Sequence, residues 1–143
     1  LILPFGFVIG TVIGSFLTLA AVTLPLTELM ITLSVLFAGL TVMRGRDVAV
    51  LPATILGALA GLFHGAAYGE AVIGAETTPV IAYLAGFGLT QLAIMLAAGF
   101  AMQQIWKAAS TAELKPRLAG ALLAGVGVTY LVEHAEQFLF SAM

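Results

Sequence analysis

The chain has 143 residues, of which 62% are hydrophobic and 8% are charged, and its formal net charge is −2. Soluble domains carry about a quarter charged residues, so this composition excludes a water-soluble protein. The mean hydropathy of +1.15 instead predicts an all-α integral membrane protein in contact with the lipid bilayer. The absence of cysteine excludes disulfide frameworks and thiolate metal sites, and nothing indicates a nucleic-acid surface.

Charged and turn residues divide the chain into five apolar stretches, each near or above the roughly 20 residues that cross a bilayer core. Pro25 and Pro79 stand where proline suits the first turn of a helix. The pattern predicts one domain over residues 1–143, a polytopic transmembrane helical bundle. Because the chain begins with Leu1, we expect one more helix or a signal peptide upstream. The five helices are predicted at about residues 1–23, 25–43, 48–67, 79–106 and 117–140.

Basic residues fall in two predicted loops, which lie on the same side of the membrane if five helices cross it in turn. Lys and Arg in short loops favour the cytoplasm, so this side is predicted to be cytoplasmic, in a bacterial inner or thylakoid-like membrane. The opposite face then receives most of the carboxylates and both histidines. Such a face would attract cations, although a solvated rim explains it equally well. The basic residues are Arg44, Arg46, Lys107, Lys115 and Arg117, and the carboxylates opposite are Glu28, Glu70, Glu76, Glu133 and Glu136.

Glycines recur every four residues in the first and third predicted helices. Residues four apart share a helix face, and stripes of small residues let membrane helices pack closely. This reading is favoured over phosphate binding, because no strand precedes the glycines and no Walker lysine follows them. The third helix is therefore predicted to be central, with His64 near a packed interior. The stripes are Gly6, Gly10 and Gly14, and Gly57, Gly61, Gly65 and Gly69.

Two segments resemble a known family. The sequence LFHGAAYGE at residues 62–70, followed by Pro79, Tyr83 and Gly86-Phe87, and the sequence LPLTE at residues 24–28 are similar to elements of the HupE/UreJ family of hydrogenase and urease accessory membrane proteins. The resemblance covers roughly residues 20–100 and is closest to a subset like the cyanobacterial members, which has tyrosine in the signature. It implies a secondary transporter or permease for nickel, or sometimes cobalt, that serves metalloenzyme maturation.

The candidate metal ligands are His64, Glu70 and Glu28. Imidazole suits nickel, and carboxylates can complete a labile shell. Tyr68 stands where typical family members have a second histidine; it could donate a hydrogen bond to His64, and Glu76 could attract the ion. Alternatively, His64 is an interior residue bonded to a neighbouring helix, and Glu28 complements a helix N-terminus. Ionisable residues within a membrane are functional candidates by default.

Two further classes of function stay open from the sequence. One is a non-transporting membrane subunit that packs in a larger complex through its glycine stripes and apolar faces. The other is a pigment or haem carrier with His64 or His134 as an axial ligand. This reading is the least favoured of the three, because the sequence shows no paired axial ligands. The sequence contains no nucleophile elbow, zincin motif or convincing triad, so it predicts a protein that is not an enzyme.

Overall fold

The structure is a computed structural model that describes residues 2–141, with the side chain of Ser141 left out. It is all-helical, which confirms the predicted fold class. Within the described residues, five helices are long and apolar enough to cross a membrane, so the chain is an integral membrane protein in contact with lipid. The helices are α1 (Ile2–Leu19), α2 (Thr27–Arg44), α3 (Val50–Glu70), α4 (Thr77–Phe100) and α5 (Leu114–Ser141).

The first helix ends before its predicted boundary at residue 23, because the chain turns after Leu19. Ala21 adopts a positive φ of 59°, and its N–H donates to the Thr18 carbonyl while the Val22 N–H donates to the Leu17 carbonyl, both at 2.9 Å. This pair of bonds is a Schellman motif, in which glycine usually occupies the left-handed position. Since alanine stands there and apolar residues follow, the sequence carries no stop signal.

The second helix begins at Thr27 and not at Pro25. Leu26 adopts a positive φ of 54°, which an α-helix cannot contain. The Thr27 hydroxyl donates to the Leu24 carbonyl at 2.9 Å. Pro25 therefore belongs to the turn that precedes the helix.

The other helix ends also differ from the predicted ones. The third helix continues to Glu70, so the end of the signature segment is helical and not part of a loop. The fourth helix begins at Thr77, which keeps Pro79 in its first turn, and it passes into a π-helical turn at Ala101–Ile105. The fifth begins at Leu114, three residues before the predicted position.

The chain forms two compact units. The first unit, up to Thr27 and then Val48–Ala101, contains α1, α3 and α4. Its α1 and α3 are parallel, because Gly6 lies against Thr54 and Gly14 against Leu62. A parallel pair is what the first and third of successive membrane crossings require.

The second unit, Glu28–Asp47 and the chain from Met102 onward, contains α2 and α5. These helices are antiparallel: Leu36 lies against Gly127, Gly39 against Ala124, and Met43 against Gly120. At one end, the Arg117 Nε donates to the Met43 carbonyl at 3.0 Å. This contact brings the basic loop after α2 to the basic start of α5.

The buried positions of both units are mostly small or polar residues, unlike the core of a soluble protein. The buried positions include the hydroxyl residues Thr11, Ser15 and Thr32, whereas large apolar side chains such as Leu89 and Leu122 are exposed. Membrane helices pack through small and polar residues because lipid is as apolar as leucine. The exposed apolar surface therefore faces lipid.

Candidate functional site

The α1–α3 contact positions the segment that carries His64. A Cβ added to Gly14 would overlap the Leu62 carbonyl, and one added to Gly65 would overlap the Thr11 carbonyl. The buried Ser15 hydroxyl donates to the Gly65 carbonyl at 2.8 Å. One turn further, the Thr18 hydroxyl donates to the Ala66 carbonyl at 3.0 Å. Glycine and hydroxyl residues thus hold the two backbones together where the signature begins.

His64 is half-buried, and its ring orientation is fixed by its own helix. Its Nδ1 lies 2.9 Å from the Ala60 carbonyl oxygen. Because a carbonyl can only accept, Nδ1 carries the proton, and Nε2 of the neutral ring has the free lone pair. Within residues 2–141 no hydrogen bond involves Nε2. A backbone bond to one ring nitrogen is how proteins orient a histidine that binds a metal through the other.

Aromatic rings from three helices form a connected group that includes this imidazole, and we call Phe7, His64, Tyr68, Tyr83 and Phe87 the aromatic cluster. The Phe7 ring meets His64 edge-on with centroids 5.4 Å apart, and Tyr68 lies 6.4 Å from it. Phe87 of α4 is 4.2 Å from Tyr68 and 5.8 Å from Tyr83. The cluster therefore connects Phe7 of α1 through His64 and Tyr68 of α3 to Phe87 and Tyr83 of α4.

Tyr68 does not make the hydrogen bond to His64 that the sequence suggested. Its side chain interacts instead with Gln91 of α4. The Gln91 Oε1 is buried and has no hydrogen-bond partner in the part of the chain that the structure describes. A buried acceptor without a partner is a place where a water or an ion is expected. Gln91 thus extends the polar group around His64 onto the next helix.

Glu70 lies on a different side of α3 from His64. It lines a cleft of about 540 Å³ together with Thr18, Thr27, Ala66 and Ile73. Ala66 and Glu70 are four residues apart and share a face, while His64 and Tyr68 share the face toward the aromatic cluster. Glu76 is the N-cap residue of α4, without a side-chain cap bond, and is exposed. The first unit therefore presents a cleft with one carboxylate, Glu70, and a half-buried imidazole within the aromatic cluster as separate features.

Glu28, the third candidate ligand, belongs to the second unit. Its Oε2 lies 3.9 Å from Nδ1 of His134, and His134 Nε2 lies 3.1 Å from the Thr32 hydroxyl. Sequence reasoning missed this grouping, although Glu28 and Thr32 are four residues apart on one face of α2. Helix spacing indicates that shared face; it does not reveal the partner on α5.

The three predicted ligands are divided between the two units. Within residues 2–141, no three or more His, Asp or Glu side chains form a group that could hold a metal ion. His64 and Glu70 face different sides of α3, and Glu28 is in the other unit. A metal role for each of these residues stays a prediction.

The family model described as "HupE / UreJ protein" matches residues 1–130. The chain belongs to the HupE/UreJ family. This match confirms the family predicted from the segment at residues 62–70, while the likeness to cyanobacterial members stays a prediction. No curated protein and no solved structure matches the chain.

In this HupE/UreJ chain, the residues of the signature segment make different contacts on different sides of α3. Gly65 and Gly69 face α1 and permit its close approach. His64 and Tyr68 face the aromatic cluster. Glu70 faces the cleft. The spacing of the signature thus places three kinds of residue on three sides of α3. Glycines pack against α1, the imidazole joins the aromatic cluster, and a carboxylate lines the cleft.

Proposed function

We propose that this chain is a secondary transporter, or permease, for nickel or a similar divalent metal such as cobalt, and not an enzyme. In this role it would serve the maturation of metalloenzymes. Membership of the HupE/UreJ family supports the proposal, as do the five candidate spans. The observation that carries it is the orientation of His64. An imidazole within a span, held through Nδ1 by a backbone carbonyl, offers Nε2 to a passing ion.

The first unit contains two groups that such an ion would contact in turn, the cleft at Glu70 and the imidazole of His64. The cleft lined by Glu70 and by threonines such as Thr18 and Thr27 offers a carboxylate among hydroxyl residues, which suits a cation that still carries water. Glu76 at the start of α4 adds negative charge near the same helix ends. His64 then offers nitrogen, which nickel and cobalt prefer over oxygen alone. One imidazole with water and carboxylate oxygens binds weakly, and passage requires weak binding.

The direction follows from the charges. Arg44, Arg46, Lys107, Lys115 and Arg117 would lie on the cytoplasmic side, in a bacterial inner or thylakoid-like membrane. The Arg117–Met43 bond supports one common side for the loop after α2 and the start of α5. The ion would enter from the opposite, acidic face.

The test is ion uptake by cells that produce the His64→Asn variant. Asparagine can keep a donor near the position of Nδ1, so the bond to the Ala60 carbonyl is retained, but it has nothing at the position of Nε2. We expect nickel uptake to fall at least about tenfold, because even the loss of a group that only orients a metal ligand costs about 10- to 100-fold in affinity or activity. The control is Thr129→Val, because the Thr129 hydroxyl bonds only its own helix, at the Gly125 carbonyl; uptake should stay at the unaltered level.

Retained uptake in His64→Asn at equal protein level would contradict an ion contact at this residue. If the chain then also co-purifies with other membrane proteins, the result favours the alternative of a non-transporting subunit in a larger membrane complex.

A further inference from the structure

The second unit contains a polar group made by Glu28, Thr32 and His134. His134 lies beyond the matched residues 1–130, and it meets Glu28 and Thr32 across the α2–α5 contact. We propose that Glu28 and His134, with Thr32 orienting the imidazole, bind one divalent transition-metal ion of the Ni²⁺ or Co²⁺ type.

The register of the α2–α5 pair creates this group. Gly39 lies against Ala124 and Leu36 against Gly127, which fixes how the antiparallel helices align. Thr32 is one turn before Leu36, and Glu28 is one turn before Thr32, on the same face of α2. His134 is two turns beyond Gly127 on α5, so it reaches the level of both residues.

The hydroxyl of Thr32 orients the imidazole ring of His134. Thr32 is 4% exposed, so its hydroxyl is withheld from water, and its oxygen lies 3.1 Å from His134 Nε2. A hydroxyl can both donate and accept. When it accepts from Nε2–H, the lone pair of Nδ1 is free and faces Glu28. This is the arrangement by which a hydrogen bond at one ring nitrogen prepares the other to bind a metal.

The distance between the two ligand atoms suits an intervening ion. Nδ1 and Oε2 are 3.9 Å apart, which is longer than a hydrogen bond of about 2.7–3.2 Å. Bonds from nitrogen or oxygen to an ion such as zinc are about 2.0–2.2 Å, so an ion bound to both atoms spans a gap of roughly 3–4 Å. The Glu28 side chain is 83% exposed and free to adjust, and water can complete the shell.

The donor set selects the class of ion. Calcium and magnesium take oxygen ligands, whereas imidazole with carboxylate suits nickel, cobalt and zinc. The start of α2 carries a positive partial charge of roughly half a unit, which opposes a cation. The full negative charge of Glu28 is larger, so attraction wins.

The same order of carboxylate, imidazole and hydroxyl occurs in hydrolase triads. A nucleophile must reach its substrate, and the 4% exposure of Thr32 prevents this. The His134 side chain is 24% exposed and that of Glu28 is 83% exposed, so both ligands are accessible to an ion.

The experiment uses the full chain in detergent micelles, purified without a histidine tag. The chain has 2 histidines, so ¹⁵N labelling of histidine gives separate ring signals for His64 and His134, assigned with His64→Asn. Titration with Ni²⁺ should broaden the His134 signals saturably, and Mg²⁺ should not. Glu28→Gln should weaken Ni²⁺ affinity at His134 at least about tenfold. Thr32→Val should weaken it about 10- to 100-fold, the range for lost orienting groups, while Thr32→Ser should restore it.

The matched control is Glu136→Gln, which removes one negative charge from the same end of α5 without touching the proposed ligands; affinity should change less than twofold. Equal weakening by Glu28→Gln and Glu136→Gln would mean attraction to a charged surface and would overturn the site. So would absence of saturable broadening in the unaltered chain. The experiment measures binding at His134, whereas the proposed function is tested by nickel uptake and His64. Each proposal can therefore fail without the other.

Discussion

The α1–α3 pair and the α2–α5 pair reach close packing by different means. In the first unit the helices are parallel, with glycines on both helices and the Ser15 and Thr18 hydroxyls bonded to carbonyls of α3. In the second unit the helices are antiparallel, and the side-chain bonds lie toward the two ends, at Arg117 and at His134. Glycine mediates both contacts, but the side-chain bonds gather toward the C-terminal ends of α1 and α3 in the first unit and lie toward both ends of the pair in the second.

The two pairs also differ in how the glycines are spaced. In the first unit a repeat of four on each helix meshes along the contact, as Gly10, Gly14, Gly61 and Gly65 do. The antiparallel pair uses single small residues, Gly39 on α2 and Gly120 and Gly127 seven apart on α5. A larger side chain is therefore expected to disturb packing at any glycine of the continuous stripe. In the second unit, such sensitivity is expected only at the few isolated glycines.

The largest effect is expected for Gly65→Ala. The added Cβ would lie 2.6 Å from the Thr11 carbonyl carbon and 2.7 Å from its Cα, so α1 and α3 must separate, and the bond from Ser15 to the Gly65 carbonyl is weakened. Overpacking costs about 1–3 kcal/mol, and more where backbone is in the way. We expect the free energy of unfolding to fall by an amount at the upper end of this range, about 3 kcal/mol. The loss is measured as a lower midpoint of thermal unfolding, which is followed by circular dichroism in micelles.

The matched control is Gly86→Ala on α4, where an added Cβ meets nothing within 4 Å. Alanine favours helix over glycine by up to about 1 kcal/mol, so this variant should unfold at the same or a higher temperature. Equal midpoints for the two variants would refute close backbone packing at Gly65.

A smaller loss is expected for Gly39→Ala in the second unit. Its Cβ would lie 2.7 Å from the Ala124 Cα and 2.9 Å from the Gly120 carbonyl oxygen. No side-chain bond depends on Gly39, so we expect about 1–2 kcal/mol, read from the same unfolding midpoint. Gly125→Ala on α5 is the control, because its Cβ would meet nothing within 4 Å. A loss larger than that of Gly65→Ala would reverse the proposed contrast between the two pairs.

Much of the fold was predictable because lipid imposes simple rules. Five apolar stretches separated by polar turns predicted five helices, and the structure has them. The ends were less predictable for local reasons. Ala21 and Leu26 hold the left-handed turn conformations in place of glycine, and residues 68–70 continue α3 although glycine and a charge suggest a loop.

The candidate site was predictable only one helix at a time. The signature predicted His64 and Glu70, but not that a helix places them on different sides. Helix periodicity cannot identify a partner from a distant segment, so Gln91 beside Tyr68 and His134 beside Thr32 emerged only from packing. Both partners are polar residues in apolar helices, and that rarity was the one available signal.

The smallest effect that still separates the two pairs is expected for Ser15→Ala. Its hydroxyl bonds the Thr11 carbonyl in its own helix and the Gly65 carbonyl across the contact. Interhelical bonds in membrane proteins average about 0.6 kcal/mol, up to about 1.7. Because Ser15 is fully buried, we expect about 1 kcal/mol, measured as before. Thr90→Val is the control: its hydroxyl bonds only Gly86 of its own helix and is exposed, so its loss should be nearly neutral. If Ser15→Ala is as neutral as this control, the bond from Ser15 to the Gly65 carbonyl contributes no net stability, and close packing at the glycines is what holds α1 to α3.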